Sequence, residues 1–293
     1  MKKVLYVSRV AKDNLDFIEA MQNNKPELEI VLGIYSNMAI YIENDQSYIE
    51  LIDSHSDIAS FDLVFFKTLY KSSDMASAIA NYLDKKGVKY IDQATKYSQI
   101  SSKLYQYVVL SSSGVNVPAS IFIHPDKISE CFQLFKEKLK LPFILKDIHG
   151  LKGRDNYLIK SEEKFSEVVK ENKNISFIAQ EYIENDGDYR VLVFGEKVQL
   201  VIHRFSNSDS HINNTSSGGQ FSKVDISEFP IEVQEASVLS AKVLGRQVAG
   251  VDMVLDKNRD KWFCFEVNEN PQMYTGALVE EKTKLFSDFL EEY

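Results

Sequence analysis

The stretch that decides the fold reads Ala249-Gly250-Val251-Asp252-Met253-Val254-Leu255 and then Trp262-Phe263-Cys264-Phe265-Glu266-Val267-Asn268. Two apolar runs of this length, joined by a short polar connection, predict a β-hairpin. If the turn centres near Arg259, Asp252 lies opposite or nearly opposite Glu266 on the partner strand. A slip of one residue in the register would separate the two carboxylates.

The second strand of this hairpin predicts which side chains share a face. Alternation places Phe263, Phe265 and Val267 on one face, and Cys264, Glu266 and Asn268 on the other. Two carboxylates would then share a small volume with one amide. Like charges about 4 Å apart repel by about 4 kcal/mol at an effective dielectric of about 20, so such a cluster needs a cation or a raised pKa. Oxygen ligands without His or Cys suit Mg²⁺, although two exposed strand acids without a function would give the same pattern.

Length and composition limit the functions that this chain can have. It has 293 residues, which favours two or three subdomains around a cleft. The formal net charge of −9 disfavours nonspecific binding to nucleic acid or to an anionic membrane. The two cysteines lack disulfide or zinc spacing and favour a cytoplasmic compartment. No apolar run approaches the ~20 residues of a membrane span, and the run from Val4 to Val7 is too short for a signal peptide.

The chain is predicted to fold as three consecutive units. Residues 1–97 alternate short strands and helices, which predicts a small α/β layer with parallel strands. They carry no G-x-G-x-x-G motif, so dinucleotide binding is not supported. Residues 98–180 contain a predicted helix from Ile128 to Leu139 and two strands that flank a glycine loop as a hairpin. Residues 181–293 carry longer strands, which predict a mainly antiparallel sheet, and a helix that ends at Gly245.

A second group of residues is suited to phosphate binding. Lys146 ends an apolar strand, and His149-Gly150-Leu151-Lys152-Gly153-Arg154 follows it. Backbone N–H groups freed by the two glycines could close over phosphates while the lysine supplies positive charge. A glycine hairpin loop beside an exposed lysine is the alternative that the residues leave open. A G-x-x-x-x-G-K-[ST] motif is absent, which excludes a P-loop.

Taken in order, these residues and others between them resemble ATP-grasp enzymes of the ribosomal protein S6 glutamate ligase type, the RimK-like carboxylate–amine ligases. The resemblance covers roughly residues 98–275 and rests on Lys103; Lys146 with Gly150 and Gly153; Gln180-Glu181-Tyr182-Ile183; Asp188-Tyr189-Arg190; His203-Arg204; Asn214 with Gly218-Gly219; Gly250-Val251-Asp252; and Glu266-Val267-Asn268. Each element is weak alone, and their shared order is the signal.

The resemblance implies an α+β / α/β architecture, the ATP-grasp fold. A small α/β pre-ATP-grasp domain (1–97) would precede two α+β subdomains that grip ATP between them. The central subdomain (98–180) would carry the lysines and the glycine loop. The C-terminal subdomain (181–293) would carry the metal and substrate side.

The resemblance also implies which residues bind the nucleotide. Lys103, Lys146 and the loop from Gly150 to Gly153 would contact the phosphates. The hinge Glu181-Tyr182-Ile183 would hydrogen-bond adenine, partly through backbone groups. Asp188 would bind the ribose hydroxyls.

Metal binding and catalysis are implied for a further set of residues. Mg²⁺, or Mn²⁺ as a substitute, would be held by Asp252, Glu266 and Asn268. The residues at the γ-phosphate and at the acyl-phosphate formed from it would be Arg204, Asn214 and Lys146, with Asn214 also binding the nucleotide.

The sequence departs from the resemblance in two places. The family usually has an arginine two residues before the asparagine that matches Asn214, and this chain has Ile212. Proline and glycine tend to follow the family's metal strand, whereas this chain reads Pro271-Gln272-Met273-Tyr274. That segment borders the acceptor side, so we expect the substrate to differ from glutamate and ribosomal protein.

The implied reaction is ATP-dependent formation of an amide or peptide bond through an acyl-phosphate, with release of ADP and phosphate. The expected partners are a small-molecule or peptide carboxylate and an amine such as an amino acid, and a homo-oligomer is compatible with the sequence. Two alternatives stay open. One is a ligase that modifies a peptide or carrier protein by amino acid addition or macrocyclisation, and the other is a non-catalytic ATP-binding regulatory protein.

Two further segments are candidates for substrate contact. Lys67-Thr68 and Lys71 follow a predicted parallel strand, where ligands often bind in α/β sheets, although the sequence favours solvated loop lysines over substrate contact. Residues 206–222, rich in Ser, Asn and Gly, are expected to form a flap that orders when substrates bind.

Overall fold

The computed structural model describes residues 1–12, 14–44, 46–67, 72–97, 102–150, 156–205, 220–269 and 271–293. Its strands are β1 Lys2–Ser8, β2 Leu28–Ile34, β3 Met38–Glu43, β4 Gln46–Leu51, β5 Ser56–Asp57, β6 Leu63–Phe66, β7 Lys89–Ile91, β8 Ser120–Phe122, β9 Phe143–Asp147, β10 Asn156–Ile159, β11 Phe177–Glu181, β12 Asp188–Phe194, β13 Lys197–Phe205, β14 Gln220–Val224, β15 Val248–Asp256 and β16 Lys261–Asn268. Its α-helices are α1 Leu15–Asn24, α2 Ser73–Lys86, α3 Lys103–Ser112, α4 Pro125–Ile128, α5 Phe132–Leu139, α6 Glu162–Glu171, α7 Ile231–Val243 and α8 Val279–Glu292. Within the described ranges, none of the helices has the length and apolar character to cross a membrane.

The amino-terminal part contains the predicted parallel α/β layer. β1 lies inside a parallel sheet of order β2-β1-β6-β7. One face packs with α1 and α8, and the other packs with α2 and a small antiparallel sheet, β3-β4-β5. Burial on both faces explains the continuous apolar run from Val4 to Val7. The sheet β3-β4-β5 was not predicted, because the run from Met38 to Ile42 is apolar without alternation.

The central part forms an antiparallel sheet of order β10-β9-β11-β8, and the predicted hairpin is β9 with β10. The single helix predicted from Ile128 to Leu139 is wrong, because Ile128 ends α4 and a separate helix, α5, begins only at Phe132. Ile128, Phe132 and Leu139 pack in one apolar cluster with β9 and β11. Their helical spacing therefore reflects a shared core contact and not one continuous helix.

The carboxyl-terminal part forms a five-stranded antiparallel sheet of order β14-β13-β12-β15-β16. α7 covers one face, and Gly245 follows it with left-handed backbone at φ 66°, which is the glycine helix end that the sequence predicts. The other face packs through Leu192 and Ile202 with α8 and the amino-terminal sheet. One apolar core therefore joins the two ends of the chain, and the boundaries after residues 97 and 180 stay predictions.

The register of β15 and β16 confirms the central prediction of the hairpin. Asp252 pairs with Glu266, and Gly250 pairs with Asn268. The connection between the strands includes Arg259, as predicted, because Asp256 at the end of β15 pairs with the first residue of β16. The two carboxylates therefore lie on directly opposed residues.

The predicted faces of β16 are wrong in part. A register shift next to Asp252 leaves Phe265 as an extra residue in β16, and such a bulge interrupts the alternation of side chains. Cys264 consequently shares a buried cluster with Val267, beside α7. Phe265 packs instead with Phe263 in a separate cluster.

β16 is an edge strand, and α3 covers its outer side. The Gln106 side chain of α3 accepts a hydrogen bond from the Val267 N–H at 2.9 Å and donates one to the Val267 carbonyl at 3.1 Å. The Tyr107 hydroxyl donates to the Phe265 carbonyl at 2.9 Å. Backbone groups of a covered edge strand need such partners, because leaving them unpaired away from water is costly. These bonds fix the first turn of α3 against β16.

Replacing Gln106 by Leu should weaken this contact strongly. Leucine fills a similar volume but leaves the N–H and the carbonyl of Val267 without their side-chain partner. We expect the free energy of unfolding, measured in urea, to fall by about 2 to 4 kcal/mol, since each buried unsatisfied group costs roughly 1 to 3 kcal/mol. Gln133→Leu on the exposed side of α5 is the matched control and should change it by less than about 0.5 kcal/mol. Equal losses of unfolding free energy in the two variants would contradict the role assigned to Gln106.

Candidate active site

Asp252 on β15 lies at the centre of a buried ionic network. Its carboxylate accepts hydrogen bonds from Arg190 Nε at 2.5 Å and Arg190 Nη2 at 3.1 Å. Arg204 donates to the same carboxylate from Nη2 at 2.9 Å and also pairs with Asp188. The strand register produces this network, because Arg190 is opposite Asp252 and Arg204 is opposite Asp188. The Asp252 and Arg204 side chains are only 13% and 8% exposed.

The network fixes the ionisation of its two carboxyl groups. Burial alone would raise the pKa of Asp252, but the guanidinium groups of Arg190 and Arg204 outweigh it and hold that pKa below its usual range. For Asp188 the balance is reversed, because burial and the negative charge of Asp252 raise its pKa in spite of the contact with Arg204. Burial disfavours a charged carboxylate, whereas a neighbouring cation favours it. Asp252 is therefore the ionised anchor that holds both guanidinium groups.

Glu266 and Asn268 of β16 lie beside this network. Asn268 Nδ2 donates to Asp252 Oδ2 at 3.1 Å and to the Gly250 carbonyl at 3.3 Å. The Glu266 carboxylate is 32% exposed and lies 3.4 Å from Lys103 Nζ. A carboxylate and an amide thus border the buried network on its more open side.

The donor set suits a magnesium ion in part. Mg²⁺ usually binds through one or two carboxylates together with water and substrate phosphates. Glu266 and the amide oxygen of Asn268 meet this requirement. Asp252 does not meet it in this arrangement, since three guanidinium N–H groups and the Asn268 amide take up both of its oxygens. In the described part of the chain, no group of three or more His, Cys, Asp or Glu side chains could hold a metal ion.

The two lysines predicted to bind phosphate lie next to β16. Lys103 begins α3, and its Nζ donates to the Gly150 carbonyl at 2.5 Å. Lys146 of β9 donates from Nζ to Gln180 Oε1 at 2.5 Å and lies 4.6 Å from the centre of the Phe265 ring. Both ammonium groups therefore lie close to the strand that carries Glu266.

The segment Glu181-Tyr182-Ile183 links the central sheet to the carboxyl-terminal sheet. The Glu181 carboxylate accepts a hydrogen bond from the Ala119 N–H at 2.8 Å and pairs with Arg259 at 3.0 Å. Ile183 is 3% exposed and belongs to an apolar cluster, whereas Tyr182 is 39% exposed. The side chains of Glu181 and Ile183 are thus engaged within the protein, and Tyr182 is the exposed member of this segment.

Most of the predicted site residues are brought together by direct contacts. Asp252, Asn268, Arg204 and Asp188 form one network, and Glu266 joins it through the strand register. Lys103 and Lys146 border the same strand, and Lys103 also binds the Gly150 carbonyl. The predicted hinge runs from the last residue of β11 toward β12. Gly153 and Asn214, like Ile212 and the predicted flap up to residue 219, lie outside the described residues, so their roles stay predictions.

The sequence assigned no separate role to two residues that the structure places in the site. Arg190 lies on the same face of β12 as Asp188, and that spacing of two residues was a usable signal. Gln180 is 1% exposed and follows the three apolar residues that begin β11. A buried amide in such a strand requires a partner, and Lys146 provides it.

Comparison with known proteins decides the family. Residues 100–285 match the model of the RimK-like ATP-grasp domain, which is more than half of the chain. The chain belongs to the RimK-like ATP-grasp family. The family match confirms the predicted resemblance and the predicted ATP-grasp fold.

Individual relatives of this RimK-like ATP-grasp chain carry ligase names. A probable alpha-L-glutamate ligase of Pasteurella multocida (strain Pm70) is 26% identical over 275 residues, covering 90% of this chain and 83% of that protein. One of Halorhodospira halophila (strain DSM 244 / SL1) is 28% identical over 259 residues, covering 87% and 82%. The ATP-grasp ligase PsnB complexed with minimal precursor, Mg and ADP has a TM-score of 0.73 at 16% identity, covering 99% of this chain and 96% of that chain. At that identity the similarity to PsnB shows the fold alone.

Lys146 gives this RimK-like ATP-grasp chain a testable pH dependence. Burial lowers the pKa of its ammonium group to about 8, although Glu266 opposes the shift. If the charged amine binds phosphate, ATP affinity is full below that pKa and is lost as the pH rises through about 8, because the neutral amine no longer attracts phosphate. We expect the calorimetric Kd for ATP to rise about tenfold per pH unit well above that pKa in the wild type.

Lys146→Arg is the control, because arginine stays charged throughout this range. The variant should lose the rise in Kd between about pH 8 and pH 9.5. Burial also lowers the pKa of Lys282 to about 8. A variant that keeps the rise would therefore contradict the assignment to Lys146 and point to Lys282.

Proposed function

We propose that this chain is an ATP-dependent carboxylate–amine ligase that works through an acyl-phosphate. The observation that supports it is the buried network in which Asp252 holds Arg190 and Arg204 beside Glu266. Two fixed guanidinium groups next to the Glu266 carboxylate suit the transfer of a phosphoryl group. Such a reaction needs charge neutralisation more than it needs a covalent nucleophile. The ligase names of the relatives support the same reaction class.

In this proposal the nucleotide lies along β16 and the hinge. Lys103 and Lys146 neutralise phosphate charge, and the loop that begins at Gly150 and includes Gly153 covers the phosphates. Backbone groups of Glu181-Tyr182-Ile183 hydrogen-bond adenine, and Asp188 binds the ribose hydroxyls. The similarity of fold to a ligase complexed with Mg and ADP supports a magnesium nucleotide as the form that binds.

Glu266 and Asn268 would hold the metal ion, which neutralises charge on the phosphates when bound. Phosphate oxygens that enter the site would compete with Asp252 for the guanidinium groups of Arg190 and Arg204. Loss of even one guanidinium contact would free a lone pair on an Asp252 oxygen. Asp252 could then bind the metal ion. Mn²⁺ prefers oxygen ligands as Mg²⁺ does and would bind in its place.

The reaction would proceed in two balanced steps. First, a substrate carboxylate oxygen attacks the γ-phosphorus of ATP; a new oxygen–phosphorus bond forms, the bond to the bridging oxygen breaks, and ADP leaves. Second, the amine nitrogen attacks the acyl carbon; a carbon–nitrogen bond forms, the bond to the phosphate oxygen breaks, and phosphate leaves with the electron pair while the amine releases a proton. Arg204, with Arg190, Lys146 and Asn214, would face the charge that develops on the transferred phosphoryl group.

The names of related proteins bear on the amine and on the carboxylate of this reaction. Relatives named as glutamate ligases support an amino acid as the amine. PsnB was also determined with a precursor peptide, which supports a peptide as the source of the carboxylate.

Cys131 and Cys264 are both free thiols, which supports a reducing compartment such as the cytoplasm.

A hydroxylamine assay tests the reaction class. The protein is incubated with ATP, Mg²⁺, hydroxylamine and a panel of amino acid, dicarboxylate and acidic peptide carboxylates. We expect hydroxamate and ADP in equal amounts, since hydroxylamine intercepts an acyl-phosphate. Formation of AMP and pyrophosphate would contradict the proposed intermediate, and ATP binding without any turnover would favour a regulatory protein.

Glu266→Gln should abolish turnover while leaving the fold intact. The amide keeps the shape but removes the charge that binds the metal ion, so kcat should fall at least about a hundredfold, which corresponds to roughly 2.7 kcal/mol. Glu167→Gln is the matched control, because Glu167 also pairs with a lysine, Lys164, at 2.9 Å on an exposed helix. It should keep full activity, and a Glu266→Gln enzyme as active as this control would overturn the metal assignment.

A further inference from the structure

Lys67 lies where a parallel α/β sheet is suited to ligand binding. Its N–H donates to the Val7 carbonyl at 2.9 Å, so it extends the end of β6 beside the end of β1. The chain leaves β1 toward β2 on one side, and β6 lies on the other side. The crevice between β1 and β6 is thus the point where the direction of winding reverses, and ligands of open α/β sheets bind outside the carboxyl ends of the strands at such a point.

The ammonium group of Lys67 is buried among neutral partners. The residue is 7% exposed, its Nζ donates to Asn14 Oδ1 at 2.7 Å, and it lies 3.9 Å from the centre of the Tyr274 ring. Asn14 is held in this orientation because its Nδ2 donates to the Val10 carbonyl at 2.6 Å and to Ser8 Oγ at 3.2 Å. Among the residues that the structure describes, no carboxylate lies within 4.0 Å of this ammonium group.

A buried cation with neutral partners is expensive for a protein to maintain. Transfer of an ammonium group out of water is costly unless a counter-charge is present. The chain provides such charges elsewhere, since Lys25 pairs with Asp288 at 2.9 Å and Glu291 at 2.6 Å. An ammonium group has three donors. At Lys67 one donor serves Asn14 and the ring of Tyr274 covers the group from another side, so a ligand carboxylate can supply the negative charge and accept a further hydrogen bond.

Tyr274 connects this position to the proposed active site. A Cβ atom on Gly250 would lie 2.7 Å from the Pro271 Cβ, so Pro271 packs against the β15 residue that is paired with Asn268. Tyr274 lies three positions after Pro271, and an extended chain of that length spans at most about 11 Å. The Tyr274 ring also contacts Phe17 of α1, with the centroids 5.8 Å apart. The same short segment therefore borders both the ionic network and Lys67.

We propose that Lys67, with Asn14 and Tyr274, binds a second carboxylate of the substrate. The enzyme would then select substrates that carry one carboxylate for activation and another for anchoring, such as a dicarboxylic acid or an acidic peptide. The inference rests on the proposed function, because it names the substrate class of that ligase. It also accounts for the segment after Asn268, where the sequence departs from the family pattern.

A length series of acids tests this selection. Glutarate, adipate, pimelate and suberate are compared with the straight-chain monocarboxylates of equal length in the hydroxylamine assay. For at least one length, kcat/KM for the diacid should exceed that for the monoacid by about tenfold or more, as expected for one charge-assisted hydrogen bond. Lys67→Gln, which keeps a donor for Asn14 but removes the charge, should raise KM for the diacid to that for the monoacid and leave kcat and KM for ATP unchanged.

Two further variants separate recognition from a structural effect. Lys67→Arg keeps the charge and should retain part of the preference for the diacid. Lys3→Gln removes an exposed lysine at the opposite end of β1, paired with Glu29 at 3.4 Å, and should change nothing. A Lys67→Gln enzyme that still prefers diacids, or a wild type without any preference, overturns the proposal.

Thermal melting in the presence of the same acids measures their binding without requiring turnover. The best diacid should raise the melting temperature of the wild type more than its monoacid does, and Lys67→Gln should abolish that difference. If no acid supports ADP release but the difference in melting is present and depends on Lys67, the proposed reaction fails while the anion site stands. If ADP is released but neither assay responds to Lys67, the anion site fails while the reaction stands.

Discussion

Asp252 is a buried carboxylate that accepts hydrogen bonds from two arginines on neighbouring strands. Removing its charge would leave Arg190 and Arg204 buried without their shared counter-ion, which is the costly way to break an ionic network. Because β12, β13 and β15 each contribute a member, the network also fixes how these strands align. The position of Asn268, which donates to the same carboxylate at 3.1 Å, follows from it.

The remaining elements place positive charge against this network. α3 is held on the edge of β16 by hydrogen bonds from Gln106 and Tyr107 to backbone groups, so the first residue of the helix, Lys103, meets Glu266. Lys146 reaches the same strand from the central sheet and lies over the Phe265 ring. β16 is thus met by one cation from the helix that covers it and by a second cation from the central sheet. This arrangement favours a phosphate ligand between the sheets.

Sequence reasoning succeeded where the determinants are local or ordered along the chain. The short polar connection predicted the hairpin and placed Asp252 opposite or nearly opposite Glu266, and the order of the motifs identified the family. It could not predict the bulge at Phe265, since alternation assumes a regular strand. It could not assign Arg190 to Asp252, because that contact depends on β12 lying next to β15, which no local pattern encodes. The burial of Lys67 depends likewise on Tyr274, which is distant in sequence.

The proposed reaction activates a carboxylate by direct transfer of the γ-phosphoryl group of ATP. A carboxylate substrate identified in the hydroxylamine assay and labelled with ¹⁸O at both carboxyl oxygens tests this step. We expect each phosphate released during amide formation to carry one ¹⁸O atom, seen as an isotope shift of its ³¹P resonance. Unlabelled phosphate, with the ¹⁸O atom that the carboxylate loses found in AMP or in water instead, would contradict this step.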